Sequence, residues 1–267
     1  MSIGVFLISV IEVIMISMKL SVVFPSKNQS EKLLRNITEK GFPFFDGLGI
    51  VYEFIIVLDG SDEKNVEIMM SAKEKLPMQV KIAPYSPHLG KGHNVKVGIE
   101  MAEGDFVLFM DADFATDLNT LEPMLKDIDK YDGFIASRHL PESVIVAKQP
   151  PIRRFIGGMS RKMIRHRFHL PYRDTQCGFK MFRTDIAKEM AKKQIIDGFA
   201  FDVEYLYFLK LNGFVAKEYP CRWVDDSNSS ISHPLKTSLR FMKDMRRIKK
   251  NRVNYLLFEE TLNDLRK

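Results

Sequence analysis

The sequence predicts an α/β protein whose mostly parallel sheet is covered by helices on both faces. Four apolar runs of strand length, at 20–25, 53–58, 79–83 and 106–110, alternate with stretches of helical periodicity. This alternation is typical of parallel sheets, whose crossover connections cover both faces with helices. Ligands of such sheets bind beyond the carboxyl ends of the strands. We therefore expect the functional site at that edge.

The remaining elements follow in order along the chain. The predicted helices lie at 28–40 (capped by Asn28 or Ser30), from the second strand to 75, and at 93–103, 117–129, 153–168, 184–194, 202–212 and 234–250. Further strands are predicted at 133–137, 215–219 and 221–224, and a proline-containing loop at 140–152. The helix at 234–250 alternates cations with apolar residues, which is typical of a solvated face or of a helix lying on an anionic membrane.

The amino-acid composition limits the classes of function that the chain can have. The chain has 267 residues, 45% of them hydrophobic, and a net charge of +6. The excess of positive charge favours phosphate-bearing substrates, anionic lipid or nucleic acid. We exclude nucleic acid as a partner because the sequence has no helix-turn-helix, zinc-finger or RNP-like motif. The two cysteines form no disulfide framework and no metal-ligand spacing, which indicates a reducing, cytosol-facing compartment.

We divide the chain into an apolar extension at 1–17, a main domain at 18–230 and a basic amphipathic helical segment at 231–267. The apolar run at 3–18 is shorter than the ~20 residues that span a bilayer, and Glu12 lies in its middle. No basic segment precedes it, which argues against a secretory signal. Three interpretations stay open: a short membrane-associating helix, an additional packed helix, or non-native residues before a start at Met18.

Asp111-Ala112-Asp113 directly follows the fourth strand. Side chains two residues apart in extended backbone point the same way, so the two carboxylates can share one ligand. Two oxygen ligands at a strand end are half of a divalent-cation site, and a substrate diphosphate can supply others. The pattern predicts that Asp111 and Asp113 form half of a divalent-cation site, which the resemblance described below identifies as a site for Mg²⁺ or Mn²⁺.

Polar residues also follow the other strands. Asp59 ends the second strand and is either a turn residue or an acceptor for a nucleotide base or ribose. Gly90-Lys91-Gly92 opens a helix; it is either a flexible helix entry or a phosphate cradle in which Lys91 neutralises charge. Neither a Walker loop nor a Gly-x-Gly-x-x-Gly dinucleotide loop is present.

The ordered set of motifs resembles family 2 glycosyltransferases, and among these the polyprenyl-phosphate sugar synthases of the dolichyl-phosphate β-glucosyltransferase type. The resemblance covers about residues 19–225. It rests on segments 20–30, 53–62, 90–92, 111–113 and 137–138, on 173–180 (Arg-Asp-Thr-Gln-Cys-Gly-Phe-Lys) and on 201–204. It implies a GT-A fold, which is a Rossmann-like sheet flanked by helices, and inverting transfer of a hexose from a nucleotide-sugar to a lipid phosphate.

The resemblance also implies how the donor is bound. Asp111 and Asp113 would hold the metal against the diphosphate, and the donor would contact Pro25, Asn28, Asp59, Lys91 and Asp111. The chain departs from the family where Lys27-Asn28-Gln29 lacks a tyrosine and an acid, and where Leu58 replaces one of two paired acids. These departures leave the nucleotide open between uridine and guanosine.

On the acceptor side, the resemblance implies that Arg138 and one of Arg153 and Arg154 bind the lipid phosphate. Arginine suits this role because it binds phosphate in a bidentate manner. The catalytic candidates are Asp174 first and Asp202 second, as groups that orient the acceptor or the sugar hydroxyls. Since an ionised phosphate needs positioning more than deprotonation, a strong general base is unnecessary. Helix capping is the alternative for Asp202.

We therefore expect a metal-dependent hexosyltransferase that uses UDP-glucose and dolichyl or polyprenyl phosphate at the cytoplasmic face of a membrane, held peripherally or by a short N-terminal anchor. The alternatives are GDP-mannose or UDP-N-acetylglucosamine as donor, a non-lipid acceptor, and a non-catalytic nucleotide-sugar binder.

Overall fold

The structure is a computed structural model that describes residues 18–85, 87–146, 151–224 and 234–267, with the side chains of 85, 151–156 and 234–238 excepted. The predicted extension at 1–17 lies outside these residues. The main sheet has seven strands in the order β3-β2-β1-β4-β7-β5-β8, and a two-stranded ribbon pairs β6 with β9. The strands are β1 (Lys19–Ser26), β2 (Val51–Asp59), β3 (Val80–Tyr85), β4 (Phe106–Met110), β5 (Gly133–Ser137), β6 (Val144–Ile145), β7 (Phe179–Arg183), β8 (Ala216–Pro220) and β9 (Arg222–Trp223).

The helices cover both faces of this sheet. They are α1 (Ser30–Asn36), which continues through a π-helical turn (Ile37–Gly41) into α2 (Phe42–Gly47), then α3 (Glu63–Lys73), α4 (Lys91–Met101), a 3₁₀ turn (Leu118–Thr120), α5 (Leu121–Leu125), α6 (Pro151–Phe168), α7 (Thr184–Lys193), α8 (Phe201–Asn212), α9 (Pro234–Lys250), α10 (Arg252–Tyr255) and α11 (Glu259–Leu265). In the part of the chain that the structure describes, no helix is long and apolar enough to cross a bilayer.

Two apolar clusters, one on each side of the sheet, explain why the strands read as continuous hydrophobic runs. In β2, eight of nine residues are buried, as expected for a strand covered on both faces. Helix α4 packs so closely on β1 that a Cβ at Gly98 would lie 2.2 Å from Val23 Cγ1. This contact fixes the entrance of α4, with Lys91, at the carboxyl edge of the sheet.

The predicted alternation of strands and helices is confirmed, and the first four strands pair in parallel with their in-sheet neighbours from this set. One strand of the main sheet was missed: β7 pairs antiparallel with both β4 and β5. Its sequence, Phe-Lys-Met-Phe-Arg, carries a lysine at its second position. Lys180 is nevertheless fully buried, because Asp202 pairs with it.

Several boundaries differ from the predictions. The residue before α1 is Gln29, with no side-chain cap, so neither Asn28 nor Ser30 caps this helix. The helix predicted at 117–129 is a 3₁₀ turn followed by α5, which ends at Leu125. The predicted loop at 140–152 contains β6 and the start of α6. The basic helix at 234–250 is confirmed as α9.

Candidate active site

The two acids after β4 lie at the carboxyl edge of the sheet, facing the segment that leads into β7. The backbone N–H of Asp111 donates to the carbonyl oxygen of Gly178 at 3.0 Å. A Cβ at Gly178 would lie 2.1 Å from Asp111 Oδ2, so only glycine leaves room for this carboxylate. The glycine of the 173–180 motif therefore positions the first acid of the 111–113 motif.

A buried group of opposite charges surrounds these acids. The ammonium group of Lys91 contacts Asp111 Oδ1, and the ammonium group of Lys180 donates to Asp202 Oδ1 at 2.5 Å. Burial, and then the Asp111 carboxylate, raise the pKa of Asp113. Burial also raises the pKa of Asp202, although Lys180 opposes the shift. Because this side of the site has three carboxyl groups and only two ammonium groups, it can accept a further cation.

The charge state of Lys91 depends on the same carboxylates. Burial alone would lower the pKa of Lys91, but Asp111 and Asp202 together raise it above its ordinary value. Lys91 is therefore a fixed positive charge next to the first acid of the 111–113 motif. A donor diphosphate at this edge would meet both the lysine and a cation held by the acids.

The donor set suits a divalent cation that shares its coordination with a substrate. Among the described residues, no three His, Cys, Asp or Glu side chains are grouped as metal ligands. The chain therefore offers Asp111 and Asp113 as oxygen ligands. The mutual repulsion that raises the pKa of Asp113 would be relieved by a cation between them. Mg²⁺ commonly binds through one or two carboxylates plus substrate phosphates and waters.

Asp59 lies at the end of β2 and is only 3% exposed. Its Oδ1 accepts from the backbone N–H groups of Leu89 at 3.0 Å and Gly90 at 3.2 Å. Its Oδ2 lies 2.6 Å from Nδ1 of His88, whose side chain is half-exposed. The carboxylate thus shapes the loop that enters α4, and its predicted contact with a nucleotide remains a prediction.

The first two residues of the predicted donor set lie nearby. Pro25 is in β1, paired with Val57. Asn28 has a positive φ of 51°, a conformation that asparagine tolerates better than most residues. Its Oδ1 accepts from the backbone N–H of Asp62 at 2.9 Å, and its own N–H donates to Ser61 Oγ at 3.1 Å. These bonds join the loops after β1 and β2.

Close packing explains why glycines lie on either side of Lys91. A Cβ at Gly90 would lie 2.5 Å from the carbonyl oxygen of Asp197, and one at Gly92 would lie 2.6 Å from that of Ile196. Gly90 also has a φ of 127°. The segment before α8 therefore packs directly against the backbone at the entrance of α4, and the phosphate-binding role of this entrance remains a prediction.

Arg138 and Asp174 form a buried bidentate pair after β5. Arg138 donates from Nε to Asp174 Oδ2 at 2.7 Å and from an outer nitrogen to Oδ1 at 3.0 Å. The backbone N–H groups of Arg138 and Gln176 also donate to this carboxylate. Burial alone would raise the pKa of Asp174, but Arg138 holds it well below its ordinary value. Asp174 is therefore ionised at neutral pH and positions Arg138.

The guanidinium of Arg138 keeps capacity for another anion. Its two bonds to Asp174 use two of the five N–H groups that a guanidinium carries. The group also lies 5.4 Å from the ring centroid of Trp223, a cation–π contact that fixes its plane. Arg153 and Arg154 are in the first turn of α6, and their side chains lie outside the described ones.

Asp202 is not a helix cap. Helix α8 begins at Phe201, and Ala200 is its N-terminal flanking residue. The Asp202 side chain turns instead to Lys180, which also donates to the carbonyl oxygen of Cys177 at 2.5 Å. The structure thus brings Asp202 together with Lys91 and Asp111 on the acidic side. Its catalytic role stays a prediction.

Glu204 belongs to the 201–204 motif but was not among the predicted site residues, and it anchors the segment that packs against the entrance of α4. It accepts from the backbone N–H groups of Ile195 at 2.8 Å and Ile196 at 3.1 Å, and from the Tyr255 hydroxyl at 2.6 Å. A glutamate on an otherwise apolar helical face was the available signal. Glu204 connects α10 to the Gly90-Lys91-Gly92 loop through this segment.

We expect Glu204→Gln to remove a pH dependence of stability. Burial raises the pKa of Glu204 to about 7, so the folded protein keeps a proton that the unfolded chain loses near pH 4.5. This contribution is complete below that pH and is lost as the pH rises to about 7, on the order of 3 kcal/mol. Urea unfolding of both proteins at pH 5 and pH 8 measures the difference. An equal change with pH in both proteins would contradict the assignment.

Comparisons with known proteins agree on one family. The pattern described as Glycosyl transferase family 2 matches residues 21–191. A dolichyl-phosphate beta-glucosyltransferase of Dictyostelium discoideum is 31% identical over 258 residues, which cover 89% of this chain and 75% of that protein. The Homo sapiens protein of the same name is 28% identical over 271 residues, covering 93% and 79%.

Solved structures show the same fold at low identity. Glucosyl-3-phosphoglycerate synthase from Mycobacterium tuberculosis, in complex with UDP, aligns with a TM-score of 0.63 at 13% identity, over 90% of this chain and 83% of that chain. Mannosyl-3-phosphoglycerate synthase from Rubrobacter xylanophilus aligns with a TM-score of 0.61 at 15% identity, over 88% and 74%. Both are GT-A glycosyltransferases, so the predicted fold class is confirmed.

Proposed function

The chain belongs to glycosyl transferase family 2, and we propose that it transfers glucose from UDP-glucose to dolichyl or a related polyprenyl phosphate. The observation that carries the proposal is the division of one site into two sides of opposite character. Asp111, Asp113 and Asp202 lie on one side, and the Arg138–Asp174 pair on the other. The names of the relatives, dolichyl-phosphate beta-glucosyltransferases, agree with this arrangement.

The acidic side suits the donor. Asp111 and Asp113 would hold Mg²⁺ or Mn²⁺ against the diphosphate, where a bound metal stabilises the charge that develops on the departing UDP. Lys91, whose raised pKa keeps it charged, adds a positive charge at the same place. Asp59 and the Asn28 loop border the site at the ends of β2 and β1 and are proposed to contact the nucleotide. Asp202 pairs with Lys180, which lies in the strand that directly follows Gly178.

The basic side suits the acceptor. An acceptor phosphate oxygen attacks the anomeric carbon of glucose, the bond from that carbon to the diphosphate breaks, and UDP leaves with the electron pair. Because the phosphate is already ionised at neutral pH, the step needs no proton transfer. Arg138, held by Asp174, would bind and orient that phosphate. Attack from the side opposite the diphosphate inverts the anomeric configuration.

A lipid acceptor requires the site to lie near a membrane. In α9, Met245 and Ile248 are buried, whereas Leu239 and Met242 are exposed together with basic residues. An exposed face of mixed cations and apolar side chains suits peripheral contact with anionic lipid. We propose that α9 makes this contact at the cytoplasmic face, and a short anchor at 1–17 stays part of the proposal.

A donor panel tests the proposal and separates it from its alternatives. Purified protein is incubated with polyprenyl phosphate, Mg²⁺ or Mn²⁺, and radiolabelled UDP-glucose, GDP-mannose or UDP-N-acetylglucosamine. We expect organic-extractable label from UDP-glucose, lost on addition of EDTA. Preferred incorporation from GDP-mannose would identify GDP-mannose as the donor instead of UDP-glucose. Label transferred only to soluble sugars would show that the acceptor is not a lipid phosphate. Binding of UDP-glucose without any turnover would favour the non-catalytic alternative.

A further inference from the structure

Helix α6 is rich in basic residues, and one of those whose side chains are described turns inward. Ile164 and Phe168 are fully buried and mark the face of α6 that packs on the core. Arg161 lies three and seven residues before them, hence on the same face, and is half-buried. Lys162 and Arg165 are exposed. A positively charged side chain on the core-facing side of a helix needs a structural or functional explanation, because burying a charge is unfavourable.

The guanidinium of Arg161 folds back along its own helix. One of its terminal nitrogens lies 3.4 Å from the position a Cβ would take at Gly157, and the other lies 3.7 Å from that position at Gly158. Because these two successive glycines have no side chains, they leave space for the guanidinium group. Among the described residues, no hydrogen bond or ion pair engages it. An arginine held inward without a partner has unused, directed N–H donors.

The charges around Arg161 are unbalanced. Burial lowers the pKa of Arg161, Asp174 opposes that shift, and Arg138 adds to it. Burial likewise lowers the pKa of the neighbouring His139, and both arginines add to that shift while Asp174 opposes it. Asp174 is thus one carboxylate facing two guanidinium groups, and its oxygens are already engaged by Arg138. Among the described residues, the charged groups that act on Arg161 are therefore one carboxylate and one other guanidinium group.

We propose that Arg161 is a further guanidinium ligand of the acceptor phosphate, acting beside Arg138. A phosphate monoester carries a charge of about −1.5 to −2 at neutral pH, which two guanidinium groups can neutralise. Two guanidinium groups approaching from different elements, β5 and α6, fix both the position and the rotation of the phosphate. The inference rests on the proposed function for the identity of the phosphate-bearing acceptor.

Kinetics with matched variants test this role. We expect Arg161→Gln to raise the KM for polyprenyl phosphate at least tenfold while leaving the KM for the nucleotide-sugar unchanged. Arg161→Lys, which keeps the charge but not the planar fork, should fall between this variant and the wild type. Arg165→Gln, an exposed change one turn further along α6, should match the wild type. A folded Arg161→Gln protein with an unchanged acceptor KM would overturn the proposal, as would an equal effect of Arg165→Gln.

A binding measurement separates this inference from the proposed function. Farnesyl phosphate, a short soluble prenyl phosphate, is titrated into the wild type and each variant by calorimetry. Binding that weakens at least tenfold in Arg161→Gln alone supports the phosphate site even if no glucose is transferred. Equal binding by all four proteins would refute it, whatever the outcome of the donor panel.

Discussion

Replacing Asp113 with alanine is expected to reduce glucosyl transfer by about 10³-fold or more while leaving the protein folded. The change removes one of the two carboxylates that would hold the cation, which contributes several kcal/mol of charge stabilisation as the diphosphate leaves. Since burial and Asp111 raise the pKa of Asp113, removing this carboxyl group relieves a repulsion. We therefore expect the free energy of unfolding to change by less than about 1 kcal/mol.

Asp117 provides the matched control on the same loop. Its Oδ1 accepts from the backbone N–H of Asn119 at 2.9 Å at the start of the 3₁₀ turn. Asp117→Ala should cost about 1 kcal/mol of stability and leave transfer intact. Activity assays and urea unfolding of both variants therefore should give opposite patterns. Near-normal transfer by Asp113→Ala would show that Asp113 does not hold a metal ion that the reaction needs.

Replacing Arg138 with alanine is expected to abolish transfer and to cost about 3–5 kcal/mol of stability. The change leaves the Asp174 carboxylate buried, at 1% exposure, without its cation. Removing the other partner, as in Asp174→Asn, should also reduce transfer, because Arg138 loses the acceptor that orients it. By contrast, breaking the exposed pair of Arg183 and Asp185 with Asp185→Asn should cost less than about 1 kcal/mol.

The pH dependence of unfolding checks the Asp174 assignment. Arg138 lowers the pKa of Asp174 in the folded protein, so the stabilisation is present above the unfolded value near 3.8 and is lost as the pH falls below it. The difference in unfolding free energy between wild type and Asp174→Asn should therefore shrink between pH 5 and pH 3. A difference that stays constant over this range would show that the carboxylate is not ionised and paired as described.

The parallel half of the fold could be predicted from the sequence because its strands are uninterrupted apolar runs. The central antiparallel strand could not, since Lys180 breaks the apolar pattern of β7 and its partner Asp202 lies 22 residues away. The two acids after β4 were equally visible, because they directly follow a strand. A contact between two loops that are distant in sequence, such as that of Asp59 with His88, leaves no local signature.

The arginines show the same difference between residues that a local sequence pattern identifies and residues that only the structure identifies. Arg138 directly follows a strand, and the structure pairs it with Asp174, whereas the roles that the resemblance implies for Arg153 and Arg154 stay predictions. Arg161 carried a signal of its own, a cation in phase with Ile164 and Phe168 on α6, but the many exposed cations of that helix concealed it. Its half-buried position and its electrostatic interactions with Asp174 and Arg138 distinguish Arg161 from the exposed Lys162 and Arg165.

The product formed by the wild-type chain from UDP-glucose, polyprenyl phosphate and Mg²⁺ tests the account most directly. The account predicts an organic-soluble polyprenyl phosphate glucose with one UDP released for each glucose transferred. Its anomeric proton should show the coupling of a β-linkage, because attack from opposite the diphosphate inverts the α-linked donor. An α-linked lipid product, or free glucose and UDP without any lipid-linked product, would contradict it.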